Sequence, residues 1–302
     1  MNKKKWLGAI GMYMLLALFP YAIYACDVCG CAVNATYFGI LPQFRQHFIG
    51  VRYMSNNFTS RQIPSLFDAK NQTYSESLQR AELYGRYYPT KRLQLFAFVP
   101  YQYNIRKEGG VVTENQGLSD ISALVNYIVI NTGDSGGFTW RNTLSIGAGI
   151  KLPTGRFNSN EAASQQTGSG TFDYLVNAIY TLRYKKVGLN ADVNIRLNTS
   201  NAAYSYGNRY TSSMRFFYWH KYKMISVLPH TGVLTEYAGK DAKNDITQKY
   251  TGGQGFYSAT GVDVYLRKIS IGASVTLPVH ETLNAGYATT RSRLSMQVLY
   301  LF

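Results

Sequence analysis

From residue 43 to the end of the chain, apolar and polar residues alternate with period two, and no segment carries a convincing helical periodicity. That pattern predicts strands throughout. The cleanest stretch is KVGLNADVNIRLN at 186–198, where Val187, Leu189, Ala191, Val193, Ile195 and Leu197 share one face. Asn190, Asp192, Asn194, Arg196 and Asn198 share the other. Residues 138–152 set Trp140, Leu144, Ile146, Ala148, Ile150 and Leu152 against Thr139, Arg141, Thr143, Ser145, Gly147, Gly149 and Lys151. Counted this way, twelve strands are predicted: 43–55, 76–88, 91–104, 118–131, 138–152, 171–184, 187–198, 208–219, 222–237, 254–266, 268–278 and 291–302.

The connections alternate in length. Long ones, rich in Asn, Ser, Thr, Gly and Gln, are expected at 56–75, 105–117, 153–170, 199–207, 238–253 and 279–290. Short ones fall at 89–90, 132–137, 185–186, 220–221 and 267. Long loops at one end and tight turns at the other are the plan of a bacterial outer-membrane barrel, and several strands exceed the roughly 9 to 11 residues a tilted strand needs to cross a bilayer. Only a closed barrel satisfies every backbone group of a strand in lipid. The expected fold is therefore all-β: a transmembrane antiparallel β-barrel of about twelve strands over 43–302. An even strand number returns both termini to one side, the periplasm.

Composition adds compartment and surroundings. MNKKKW, the apolar run LGAIGMYMLLALFPYAIY and Ala25 follow the order of a secretory signal, so residues 1–25 are expected to be removed on export to the outer membrane. The 26 Tyr, 15 Phe and 3 Trp suit a protein whose rings sit at headgroup depth. A formal charge of +15 points to anions, including those of lipid headgroups, because an exported chain rarely meets nucleic acid. The C-terminal RSRLSMQVLYLF alternates Leu294, Met296, Val298, Tyr300 and Phe302. It resembles the terminal strand signature that the barrel-assembly machinery of outer membranes recognises, which implies that machinery and outer-membrane lipid as partners.

Three further stretches belong together: GLSDISALVNY at 117–127, IGAGIKLPTGRF at 146–157 and TGSGTFDYLVNAIY at 167–180. They resemble the outer-membrane transporters grouped as the phenol-degradation meta-pathway (MetA-pathway) family. The resemblance places Asp120 at a strand start, Pro153 and Gly155 at a strand-to-loop corner and Asp173 at the next strand start. It implies a barrel and a transport role, and the family's name associates it with small aromatic compounds.

All three cysteines lie within CDVCGC, at Cys26, Cys29 and Cys31. The motif is no part of that family pattern. Three thiolates so close suit a soft metal ion such as Cu or Zn, with Asp27 or the amine of Cys26 as a fourth ligand. A local disulfide and lipidation of Cys26 are the other readings. Residues 26–42 form either an extended periplasmic tail or a partial plug. His47, His220, His230 and His280 are too scattered to make a metal site.

In a barrel the polar faces line the lumen. They carry Arg52, Arg80, Glu82, Arg86, Asp120, Arg141, Asp173, Arg183, Asp192, Arg196, Arg215, Glu236, Asp263 and Arg293, which would pair or form rings that select permeating ions. No catalytic role is expected: Ser226 and His230 share a face of one strand, about two pleats apart and out of contact. The function expected is a channel or transporter for small solutes linked to soft-metal handling. A non-conducting metal-binding or interaction barrel with a closed polar lumen is the alternative.

Overall fold

The computed structural model describes residues 46–61, 73–132, 140–158, 166–201 and 204–302. The expected signal segment, the CDVCGC cysteines and the segment preceding the first strand lie outside these residues.

Twelve long strands form the wall. They are β1 (Phe48–Arg61), β2 (Thr73–Tyr87), β3 (Leu93–Glu108), β4 (Val111–Leu118 and Ser122–Asn131), β5 (Trp140–Lys151) and β6 (Asp173–Tyr184), followed by β7 (Val187–Asn198), β8 (Arg209–Tyr218), β9 (Ile225–Ala238), β10 (Gly253–Leu266), β11 (Ile269–Leu283) and β12 (Ala288–Leu301). Each pairs antiparallel with its sequence neighbours, and β1 pairs with β12, Phe48 facing Leu301, which closes the barrel. Closure removes both sheet edges. β4 is interrupted at residues 119–121, opposite Pro100 of β3, and Ser119 N–H donates to the Pro100 carbonyl at 2.8 Å. A bulge there is natural, since proline offers no N–H to the ladder.

Three strand pairs run further than the alternation predicts, among them β1 and β2, which reach Arg61 and Thr73 inside an expected loop. β3 and β4 extend to Glu108 and Val111, joined by Gly109-Gly110, where a long loop is expected from sequence. β11 and β12 likewise reach Leu283 and Ala288. Where both faces meet water, as along Val111–Leu118, the hydrophobic half of the alternation lapses while backbone pairing continues.

The outward face is apolar. Ile49, Val51, Leu83, Leu95, Val125, Ile146, Ile150, Val193, Met214, Val262 and Val298 are all exposed on it. Tyr87, Tyr127, Trp140, Tyr218 and Tyr300 ring the end that holds Phe48 and Leu301, and Tyr101, Tyr174, Tyr210 and Tyr237 ring the other. An apolar band between two aromatic girdles is what lipid requires of a barrel. The protein is an integral outer-membrane barrel in contact with lipid.

The excess positive charge has a definite place. Lys91, Arg92, Lys185, Lys186, Lys221, Lys223, Arg267 and Lys268 are exposed in the turns at the Phe48 end. The residues described in those turns include no carboxylate.

Candidate functional site

Inward-facing side chains form two layers of different chemistry. The apolar layer comprises Phe48, Tyr84, Phe96, Phe98, Leu124, Leu175, Leu299 and Leu301, with Ile179 and Tyr265 packed on it. Tyr265 also contacts a second cluster of Phe217, Trp219 and Leu228. Tyr84 and Phe98 stack with ring centres 6.1 Å apart, Phe48 meets Tyr84 edge-on at 5.4 Å, and Trp219 stacks on Tyr265 at 6.1 Å. These offset and edge geometries favour aromatic rings beyond the area they bury. The residues come from opposite sides of the barrel, so the layer crosses the lumen.

Charge sits against this layer. Arg52 and Glu82 face each other across β1 and β2 and form a buried ion pair. Arg80 binds the same carboxylate at 2.9 Å. The Arg52 guanidinium lies 4.7 Å over the Tyr84 ring, so the two layers meet through a cation–π contact. Tyr84 O–H donates to Gln297 Oε1 at 2.6 Å, the Gln297 amide donates to Asp263 Oδ1 at 3.2 Å, and Asp263 Oδ2 stands 3.7 Å from His230 Nε2. The link from β12 to β10 passes over β11 because Gly272 stands between; a Cβ there would be 2.1 Å from Asp263 Oδ1. Nearer the other mouth, Arg293 Nη1 donates to Glu236 at 2.8 Å from three strands away, with its guanidinium 4.0 Å over the Tyr257 ring.

A third cluster is built by the three motif stretches. Lys151 at the end of β5 binds Asp173 at 2.6 Å and Asp120 at 2.8 Å, and all three are buried. Asp120 also accepts from Gly155 N–H at 3.0 Å and from Ser169 N–H at 2.9 Å and Oγ–H at 2.7 Å. Asp173 accepts from Thr171 Oγ–H at 2.9 Å and Thr199 N–H at 3.2 Å. Gly155 and Gly168 touch backbone to backbone, and a Cβ on Gly155 would stand 2.6 Å from Gly168 Cα. The cluster fastens both ends of the β5–β6 connection to the barrel wall.

Of the residues expected in the lumen, Arg52, Arg80, Glu82, Arg86, Asp120, Asp173, Asp192, Arg215, Glu236, Asp263 and Arg293 are buried. Arg141, Arg183 and Arg196 are half-buried. Arg183 stacks over Trp219 at 5.2 Å, away from the paired charges. Sequence reasoning did not single out Lys151, Gln297, Tyr84 or Tyr257, though Lys151 shares a face with Ser145, Gly147 and Gly149 and that alternation marks it. Among the described residues, no group of three or more His, Cys, Asp or Glu is arranged to hold a metal.

Residues 72–276, well over half of the chain, match the family described as the MetA-pathway of phenol degradation. The chain belongs to that family. The fold of this MetA-pathway barrel is similar to the COG4313 outer membrane channel from Pseudomonas putida F1, with 13% identity and a TM-score of 0.66 over 87% of this chain and 97% of that one. It is also similar to the β domain of the Bordetella autotransporter BrkA, with 12% identity and a TM-score of 0.51 over 85% and 100% of the two chains. No curated protein sequence matches the chain. The stretches that carry the family resemblance are the ones that converge on Asp120, Lys151 and Asp173.

Proposed function

We propose that this MetA-pathway barrel is a channel or transporter that passes small solutes across the outer membrane, with the charged lumen as the path. The observation that carries this reading is a void in the lumen, partly open to solvent and walled by side chains of both signs, Arg52, Asp192, Arg215 and Arg293 among them. A lumen that served only to fill a small barrel would be packed through. The family and the fold likeness to an outer-membrane channel support transport over catalysis. In planar bilayers the purified barrel should give discrete conductance steps. A folded barrel that neither conducts nor loads vesicles with any solute would overturn the reading.

The apolar layer favours a second reading, in which the lumen is closed at rest and the barrel acts as a binding or interaction module. We place the Phe48 end in the periplasm, which would set the CDVCGC segment there and let the strand ending at Phe302 engage the barrel-assembly machinery. Cys26, Cys29 and Cys31 would then hold a soft ion such as Cu or Zn, coupling the barrel to metal handling. Protein isolated without chelator should contain about one equivalent of such an ion, as expected for one set of thiolate ligands, and lose it when all three cysteines become serine. Metal-free protein with an intact cysteine pair oxidised to a disulfide would exclude this role.

A further inference from the structure

The void has a chemical bias that the channel reading does not require. Three arginines line it, Arg52, Arg215 and Arg293, and all three are buried. The lining includes one carboxylate, Asp192. That carboxylate is already engaged by the Ser213 hydroxyl and by Asn194 Nδ2–H at 2.8 Å. Glu82 and Glu236, which pair with Arg52 and Arg293, are not part of the lining. The arginines therefore stand between those acids and the void. Arg293 donates Nη1–H to Glu236, and its Nε and Nη2 make no hydrogen bond. The remaining polar wall is neutral and short: Asn56, Thr211, Ser274, Thr276 and Ser295.

From this arrangement we infer that the void is a binding site for a small organic anion that carries both carboxylate and hydroxyl groups. A guanidinium fork matches a carboxylate with two parallel hydrogen bonds, and an ammonium or amide cannot reproduce that geometry. Burial out of bulk water strengthens each such contact. The surrounding hydroxyls and amides offer partners to the hydroxyl groups of the guest, which a site of guanidiniums and apolar side chains alone would leave unmatched. The site deepens the proposed channel function, on which it depends for access; its chemistry stands on the arginines.

Citrate serves as the probe and uncharged glycerol as the control. With the full barrel in planar bilayers under a KCl gradient, the reversal potential should favour chloride. Citrate should block the current where glycerol does not. Arg215→Gln should raise the half-blocking citrate concentration about tenfold, the equivalent of one lost charge-assisted hydrogen bond. Arg215→Lys, which keeps the charge and removes the fork, should fall between the two, and it checks that the loss is not misfolding. A reversal potential favouring potassium, or a citrate block unchanged in both variants, overturns the site. If the barrel proves not to conduct, the channel reading fails on its own, and calorimetric titration of citrate into detergent-solubilised barrel decides the site. Saturable binding weakened in Arg215→Gln supports it; no binding up to about 10 mM, an affinity near 3 kcal/mol, overturns it.

Discussion

Replacing Lys151 with methionine should cost the barrel about 3–5 kcal/mol, because it strips the cation from two buried carboxylates at once. Asp173 and Asp120 lie 2.6 Å and 2.8 Å from Lys151 Nζ, and each is less than a tenth exposed. Asp120 would keep its bonds to Gly155 and Ser169, and Asp173 its bonds to Thr171 and Thr199. Hydrogen bonds of that kind do not cancel two like charges held apart only by a methionine. The damage should concentrate where the cluster acts, on residues 152–158 and 166–172, which should become open to proteases while the strands stay protected. Converting both aspartates to asparagine in the Lys151→Met background should recover most of the loss, since the buried charge is then removed altogether. Urea midpoints of the folded barrel in micelles, with limited proteolysis, read both effects. A Lys151→Met barrel within about 1 kcal/mol of the parent, the range of an exposed ion pair, would show that the cluster is solvated and does not hold the connection.

That cluster marks the boundary of what the sequence makes legible. Wherever one strand face meets lipid, alternation names the inward residues, and the parity of their positions alone assigns Asp173, Asp192, Arg215 and Asp263 to the interior. Alternation fails where the wall leaves the lipid, as in Val111–Leu118, whose residues are mostly exposed on both faces and read as loop. It also slips at bulges. The pairing of β1 with β12 shifts between Asn57 and Phe58, so Thr290 and Arg293 both point inward although they stand three positions apart. Partners are harder still. Arg52 and Glu82 are neighbours by simple register, but Arg293 finds Glu236 across two intervening strands, and that depends on barrel tilt and on which inward positions lack a side chain. Gly272 makes the bridge from Gln297 to Asp263 possible, and no local feature of its segment announces that role.

Removing the Phe98 ring should open the apolar layer and raise conductance several-fold. The ring is 2% exposed, stacks on Tyr84 and Phe96, and belongs to the cluster that crosses the lumen. Phe98→Ala should also cost about 3–5 kcal/mol of stability, the usual toll of emptying an aromatic site in a packed core. The comparison that separates mechanisms is Phe98→Ser, which leaves nearly the same space but offers water a partner. If the layer stops ions by staying dry, serine should conduct more than alanine, because a polar group lets water enter a narrow apolar constriction. A purely steric block predicts equal currents for the two. Phe58 supplies the control: its cluster with Leu78, Leu283 and Ala288 comes from four adjacent strands, β11, β12, β1 and β2, and packs one side of the wall without crossing the lumen. Phe58→Ala should therefore lose comparable stability with little change in current. Equal increases from Phe58→Ala and Phe98→Ala would mean that general loosening of the barrel, and not the layer at Tyr84 and Phe98, controls passage.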